Sequence, residues 1–191
     1  MQLTIPLDFH YKHMTRYGGN YGSLYGGVDV NTDRINLAIV DKYGRLRDVR
    51  TFWYEDASRR GYPRRRARVL ISMAVHEMLK YAHYHEVKIL FLENPNTLGK
   101  LKLLWIKNGR RLHRNYNWKV MTFRSSITEM VAMKALLYSI KIEYVNPKGT
   151  TTSKEHVEVM WKYGLDRHTA SAYLIALKGV ERRAMIKKAI I

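Results

Sequence analysis

The sequence has no cysteine and no long apolar run, and each absence excludes a class of protein. Without cysteine there is no disulfide framework, no thiolate zinc site and no thiol nucleophile. No segment approaches the roughly 18 consecutive apolar residues of a transmembrane helix. The start of the chain, MQLTIPLDFHYKHM, lacks the basic and apolar regions of a secretory signal. We therefore expect a soluble, cytoplasmic protein that is not secreted.

Acidic residues are also scarce. The 191 residues include 16 Asp and Glu against 34 Lys and Arg, which gives a formal net charge of +18. Together with 14 Tyr and 4 Trp, this excess indicates a polyanionic partner, because cations neutralise phosphates and aromatic rings stack on bases. An anionic membrane surface would also suit the charge. Nucleic acid is favoured because the basic residues are spread along the chain instead of lying on one amphipathic helix.

The length of the chain predicts one main domain. Residues 1–24 are expected to form a short N-terminal strand and a Gly/Tyr-rich loop, and residues 25–191 the folded domain. Alternating β-branched residues, interrupted by polar turns, predict three antiparallel strands near 26–31, 35–41 and 45–53.

The pattern then changes to alternating helices and strands. Helical periodicity predicts a helix between Pro63 and Tyr84, and a short apolar run predicts a buried strand over Val87 to Leu92. The stretch from Asn96 to Lys119 is polar, with little periodicity. A capping-box spacing predicts that a second helix begins at Ser126.

The C-terminal part continues the alternation. A strand is predicted over Lys141 to Val145, and a second capping-box spacing from Thr152 to Glu155 opens a helix that Gly164 can end. A last helix is predicted from about Arg167. The order βββ-α-β-α-β-α-α implies an α/β fold with one mixed sheet and helices on both faces.

Two acidic residues occur inside apolar strands. Asp29 lies in Gly-Val-Asp-Val, and Glu93 ends the most apolar strand. Two such carboxylates on neighbouring strands would repel by roughly 4 kcal/mol at 4 Å and an effective dielectric constant near 20, and a divalent cation between them reverses this cost. Alone, Asp29 could cap a turn and Glu93 could form a salt bridge. Together they favour a metal site of the kind that hydrolyses phosphodiesters.

Four segments carry a resemblance to a known family. GVDVNTDRINLAIVD, ILFLENP, YVNPKGTTTSKEH and DRHTASAYLIAL resemble the split motifs of the RuvC-like nuclease domain, in the form found in the OrfB/TnpB proteins of insertion sequences. The resemblance covers about residues 24 to 180. It implies an RNase H-like five-stranded sheet of order 3-2-1-4-5 and cleavage of nucleic acid that depends on Mg²⁺ or Mn²⁺. Asp29 then matches the first catalytic acid and Glu93 the second.

The chain departs from that family in three respects. The cysteine-rich zinc ribbon is replaced by a predicted helix, and modules that bind guide RNA are not expected, because only about 24 residues precede the first motif. The third acidic position falls on His168, with Ser171 where related nucleases keep Asp. His168 is either a catalytic group or an exposed residue of the first helical turn. Asp166 is either the N-cap of that helix or a further metal ligand.

A basic stretch and a basic helix start are the predicted nucleic-acid contacts. The stretch from Lys100 to Lys119 interleaves cations with aromatic rings and has no acidic residue. The first helix begins with arginines where its positive dipole end would meet phosphate. The predicted contact residues are Lys107, Arg110, Arg111, Arg114, Trp118, Arg64 and Arg65.

The sequence leaves three functions open. The first is a metal-dependent endonuclease that acts on DNA, branched DNA or RNA–DNA hybrids. The second is a nucleic-acid-binding regulator on a decayed nuclease scaffold. The third is a Holliday-junction resolvase, which would be a dimer with paired sites. The expected partner is thus nucleic acid and not a membrane, and the protein is expected to be a monomer or a homodimer.

Overall fold

The computed structural model describes residues 23–59, 61–94, 111–146 and 153–190, with the backbone alone for 111–122, 187, 188 and 190. In this part of the chain the strands are β1 (Leu24–Val30), β2 (Arg34–Val40), β3 (Leu46–Trp53), β4 (Val87–Glu93) and β5 (Lys141–Val145). The helices are α1 (Arg64–Tyr84), α2 (Arg111–Ala135), α3 (Lys154–Tyr163) and α4 (Arg167–Ile190), with short 3₁₀ helices at Glu55–Ser58 and Leu136–Tyr138. The predicted strands lie within two residues of those observed.

The five strands form one mixed sheet of order β3-β2-β1-β4-β5, which confirms the predicted order. The first three strands pair antiparallel, whereas β1 with β4 and β4 with β5 pair parallel. Val28 of β1 pairs with Leu92 of β4. Because parallel strands end at the same edge of a sheet, the carboxyl ends of β1 and β4 lie side by side.

Alternating residues of the strands face two different helical layers. One face packs against α1 and α2 through a large apolar cluster that includes Val28, Leu90 and Leu92. The other face packs against α4, through smaller clusters in which Phe91 meets Ile175. This arrangement confirms the predicted helices on both faces.

Helix α4 approaches the sheet closely because two positions lack a side chain. A Cβ atom at Gly27 would lie 2.1 Å from the backbone oxygen of Ala172, and one at Gly179 would lie 2.2 Å from the ring of Phe91. These contacts hold the beginning of α4 over the carboxyl end of β1. The site described below depends on that placement.

Local signals fix the ends of the C-terminal helices, although the cap of α3 is Ser153 and not Thr152, with which the predicted capping box begins. The side chain of Ser153 accepts a hydrogen bond from the backbone N–H of His156 and caps α3. Gly164 ends α3 in the left-handed conformation, with φ of 62°. The side chain of Asp166 accepts hydrogen bonds from the N–H groups of His168 and Thr169, so the N-cap predicted for α4 is confirmed.

The predicted start of α2 is wrong. The capping-box spacing placed it at Ser126, but the helix begins at Arg111, inside the stretch expected to be irregular. The Ser126 hydroxyl donates to the backbone oxygen of Phe123 within the helix and caps nothing. A Ser-x-x-Glu spacing also occurs inside helices, where serine bonds back to the preceding turn.

No helix in the described ranges is long and apolar enough to span a bilayer. The N-terminal strand and loop expected over most of residues 1–24 fall largely outside the described ranges, as do Lys107 and Arg110.

Candidate functional site

Asp29 and Glu93 are the residues that follow the paired Val28 and Leu92 on two neighbouring parallel strands. Their positions place both side chains on the sheet face that packs against α4. Asp29 is 6% exposed and Glu93 is 8% exposed. The structure therefore brings the two predicted acids to adjoining strand ends and buries both.

Three side chains from separate elements contact the Asp29 carboxylate. Asn31 Nδ2 donates to Oδ2 at 2.8 Å, and Arg124 Nη2 donates to Oδ1 at 3.4 Å. His168 Nδ1 lies 3.3 Å from Oδ2 and donates to it, since a carboxylate can only accept. The structure thus brings His168, a predicted site residue, into contact with Asp29, whereas Asn31 and Arg124 were not predicted.

Asp29 is ionised although it is buried. Burial by itself would raise the pKa of its carboxyl group. The hydrogen bond from His168, the charge of Arg124 and the hydrogen bond from Asn31 outweigh burial and hold this pKa below its usual value of 3.8. The carboxylate is therefore charged at neutral pH, as a cation ligand must be.

Glu93 lies near a cation of α4. Burial lowers the pKa of Lys178, and the nearby negative charges of Glu155 and Glu93 oppose that effect. Lys178 is thus close enough to Glu93 to offset part of its charge. Both acids of the site have a cationic neighbour: Arg124 for Asp29 and Lys178 for Glu93.

A row of polar side chains continues from Asp29 across the sheet. Asn31 Nδ2 also lies 3.4 Å from Asn36 Oδ1, and Asn36 Nδ2 donates to Thr51 Oγ1 at 2.8 Å. Asn36 pairs with Asp29 across β1 and β2, and with Thr51 across β2 and β3. The row fixes the Asn31 amide, so that its N–H groups point at the carboxylate.

Asp166 uses both carboxylate oxygens in capping α4. Oδ1 accepts from the backbone N–H groups of His168 and Thr169, and Oδ2 accepts from the Thr169 hydroxyl. Burial tends to raise the pKa of this carboxyl group, and the two backbone hydrogen bonds lower it below its usual value. Asp166 orients the turn that carries His168. Its role as a metal ligand stays a prediction.

Ser171 does not point toward the same partners as His168. Its hydroxyl donates to the backbone oxygen of Arg167 and lies 3.2 Å from Nε2 of His156, which is buried. His156 Nε2 also donates to the Arg167 oxygen at 2.9 Å. This buried pair ties α3 to the first turn of α4. His156 was not among the residues predicted from the sequence.

The arginines at the start of α1 lie at the edge of the sheet where β1 and β4 end, which is the edge that carries Asp29 and Glu93. Helix α1 finishes directly before β4 begins, and its 21 residues span about 31 Å, more than the length of the strand. Its first turn therefore returns to the carboxyl end of β4. Arg64 and Arg65 are exposed there and no acidic residue shares the first turn.

The nucleic-acid contacts of Arg64 and Arg65 stay a prediction, and the other predicted contact residues lie where the structure describes no side chains. Arg111, Arg114 and Trp118 belong to α2, for which only the backbone is described at these positions. Their contacts stay a prediction, as do those of Lys107 and Arg110, which lie outside the described ranges.

Asp29 and Glu93 are the residues that could hold a divalent cation such as Mg²⁺ or Mn²⁺. Magnesium is typically bound by one or two carboxylates and completes its coordination with water and substrate phosphate. The two ionisable oxygen donors at adjoining strand ends meet that requirement. Within the described residues no group of three or more His, Asp or Glu side chains could hold a metal.

The sequence has relatives in two archaea, but no family model matches it. Two uncharacterized proteins of Aeropyrum pernix are each 68% identical over 188 residues, which is 98% of this chain and 51% and 45% of their own lengths. An uncharacterized protein of Saccharolobus solfataricus is 36% identical over 180 residues, 94% of this chain and 47% of its own length. The chain therefore spans about half the length of these relatives.

The fold is similar to that of solved nucleic-acid enzymes. Thermus thermophilus RuvC in complex with a Holliday junction substrate matches with a TM-score of 0.55 and 17% identity, over 84% of this chain and 95% of that chain. Another T. thermophilus RuvC structure gives 0.53 and 16%, over 84% and 96% of the two chains. A Cas12f1–sgRNA–target DNA complex gives 0.51 and 12%, over 85% and 40%. At such identities the likeness shows the fold alone, and that fold is the RuvC-like, RNase H-like fold expected from the sequence.

Proposed function

We propose that this chain is a divalent-metal-dependent endonuclease of RuvC/TnpB type that cleaves DNA. Branched DNA and RNA–DNA hybrids are within this proposal. The observation that carries it is the pair of buried carboxylates, Asp29 and Glu93, at adjoining strand ends of a RuvC-like sheet. The fold alone does not determine an activity, so the proposal depends on these two residues.

The residues of the site have separate tasks in this proposal. Asp29 and Glu93 hold the cation. A bound divalent cation supplies activation of the attacking water and stabilisation of the charge that develops on the phosphodiester. Asp29 also orients the His168 ring through Nδ1, which leaves Nε2 to bind a phosphate oxygen or to transfer a proton.

Substrate binding is assigned to basic surface at the same edge of the sheet. Arg64 and Arg65 lie on the first turn of α1, where exposed N–H groups and the helix dipole favour an anion. The excess of 18 positive charges supports a polyphosphate partner. The neighbours were solved with a Holliday junction and with a guide RNA and target DNA, and these are the nucleic acids that we propose to test.

A second candidate is a nucleic-acid-binding regulator that has lost catalysis. Two observations support this candidate. A positive guanidinium, that of Arg124, already contacts Asp29, and the third acidic position of the resembled family holds His168. Both reduce the negative charge that would retain a second cation.

A cleavage assay separates the two candidates. The full chain is incubated with single-stranded, duplex, four-way-junction and RNA–DNA hybrid substrates in Mg²⁺ and in Mn²⁺. The endonuclease proposal expects metal-dependent products that disappear in Asp29→Asn and Glu93→Gln. Asp56→Asn is the matched control, because Asp56 is exposed and pairs only with Arg59 among the described residues. Tight binding of a substrate without cleavage under any condition would instead support the regulator.

A further inference from the structure

Arg124 is a half-buried cation that none of the assigned tasks uses. Its side chain is 20% exposed and extends from α2 to the carboxyl end of β1. Neighbouring residues of the same helix, Phe123 and Ile127, pack into the core and fix the position of its backbone. Packing therefore fixes the backbone of Arg124, and its guanidinium reaches the site through one long contact with Asp29.

The hydrogen bonding of this guanidinium is incomplete. Arginine has five N–H donors. In Arg124, the contact of Nη2 with Asp29 is long, 3.4 Å, and Nε is buried without an acceptor among the described residues. Leaving a buried charged donor unpaired is unfavourable, so a site of this kind is stabilised by a ligand that brings acceptor oxygens.

Asp29 does not depend on Arg124 for its hydrogen bonds. Asn31 donates to Oδ2 at 2.8 Å, and His168 also contacts Oδ2. Among the described residues, Arg124 is the only one that contacts Oδ1 of Asp29. If Arg124 moves away from Oδ1, the carboxylate keeps its hydrogen bonds at Oδ2. The free oxygen then becomes available to a cation.

We propose that Arg124 binds a non-bridging oxygen of a phosphodiester placed at Asp29 and Glu93, and that its contact with Asp29 holds it there before the nucleic acid arrives. A planar guanidinium offers two parallel N–H groups to a phosphate, a geometry that fits Nε together with one Nη. The inference rests on the proposed function only for the identity of the ligand as a phosphodiester.

The test measures binding without any divalent metal, so that it does not depend on cleavage. Binding of a short fluorescein-labelled DNA oligonucleotide is followed by anisotropy in EDTA. Each variant is made both in the otherwise native chain and together with Asp29→Asn, which removes the ion pair between Asp29 and Arg124. Arg124→Gln is compared with a matched control, Arg47→Gln. Arg47 lies at the beginning of β3, and its side chain is 50% exposed.

We expect Arg124→Gln to weaken oligonucleotide binding roughly 10- to 100-fold, as is typical of a lost charge-assisted hydrogen bond. The salt dependence should flatten by about one phosphate. Arg47→Gln should weaken binding by less than about threefold, because exposed charges farther away are screened. Arg124→Lys keeps the positive charge but not the two parallel N–H groups of the guanidinium, so its oligonucleotide affinity should lie between those of Arg124→Gln and Arg47→Gln.

Two results would overturn the inference. One is equal affinity of the Arg124→Gln and Arg47→Gln variants, with normal thermal unfolding of both. The other is a loss of affinity in Arg124→Gln that only follows a loss of folded protein. Either result leaves the endonuclease proposal standing if the wild type cleaves. Conversely, a protein that shows the Arg124 effect but cleaves nothing keeps the inference and loses the proposed activity.

Discussion

Replacing Gly27 with alanine tests the packing that positions the site. Gly27 lies two residues before Asp29, and a Cβ there would come within 2.1 Å of Ala172 O, 2.4 Å of Ala176 N and 2.9 Å of Ala176 Cα. All three atoms belong to the backbone of α4. They cannot rotate away as a side chain can, so the whole helix must move by about 1 Å to restore ordinary contact.

The expected cost follows from two opposing terms. Overpacking costs about 1–3 kcal/mol, and the backbone obstruction places this substitution at the upper end. The lower entropy of the unfolded alanine chain offsets about 0.4–1 kcal/mol. We expect a net loss of about 2 kcal/mol in the free energy of unfolding, or a melting temperature lower by about 4–8 °C for a chain of this size.

Gly26→Ala is the matched control. A Cβ at Gly26 would face the other side of the sheet and would approach Leu90 Cδ2 at 2.5 Å, which is the end of a flexible side chain. We expect a smaller loss, about 1 kcal/mol or less. Urea unfolding followed by circular dichroism measures both variants. A Gly27→Ala protein as stable as Gly26→Ala would refute the close approach of α4 to β1.

Two further predictions concern acidic residues outside the metal pair. Burial would raise the pKa of Asp41, but hydrogen bonds from Arg45, the N–H of Tyr43 and Arg47 hold it well below 3.8. The charged Asp41 therefore adds stability that is complete above about pH 4 and is lost as the pH falls further. Urea unfolding should show Asp41→Asn less stable by about 2 kcal/mol at pH 7, with a gap that closes toward pH 2; a gap independent of pH would contradict the assignment. Asp166→Asn should keep both the stability and the Mn²⁺ affinity of the wild type, because asparagine caps as well as aspartate, whereas Asp166→Ala should lose about 1 kcal/mol. Weaker Mn²⁺ binding in Asp166→Asn by calorimetry would make Asp166 a ligand instead.

Much of the fold could be predicted because its signals are local. Gly164 ends α3 by its own backbone chemistry, and the apolar run before Glu93 is a buried strand. The start of α3 was predicted one residue early, because Thr152 and Ser153 are both residues that can cap a helix. The start of α2 could not be predicted in this way, because Ser126 carries a cap signal in a helix interior. Hydrophobic periodicity is also weak in the polar segment that precedes it, and a helix can extend through such a segment once a downstream turn has formed.

The acidic residues of the site could be predicted because each lies in an otherwise apolar strand. The residues that contact them could not be predicted where they come from a distant segment of the chain. Asp29 and Glu93 are conspicuous in the sequence, whereas the contact of Arg124 with Asp29 joins residues 95 positions apart. One signal was present: Arg124 lies three residues before the buried Ile127, on the same helical face. An arginine in register with a core face is a candidate for a half-buried position.

The joint binding of one cation by Asp29 and Glu93 is tested most directly by titrating the chain with Mn²⁺ and measuring the bound ion by isothermal calorimetry. Wild type, Asp29→Asn, Glu93→Gln, the double variant and the Asp56→Asn control are compared. We predict one site in the wild type and in the control. Each single variant should bind Mn²⁺ at least tenfold more weakly than the wild type. The double variant should bind Mn²⁺ only slightly more weakly than the single variant with the lower affinity, because both residues hold the same ion. Equal Mn²⁺ affinity of the wild type and both single variants, in folded proteins, would contradict the shared site.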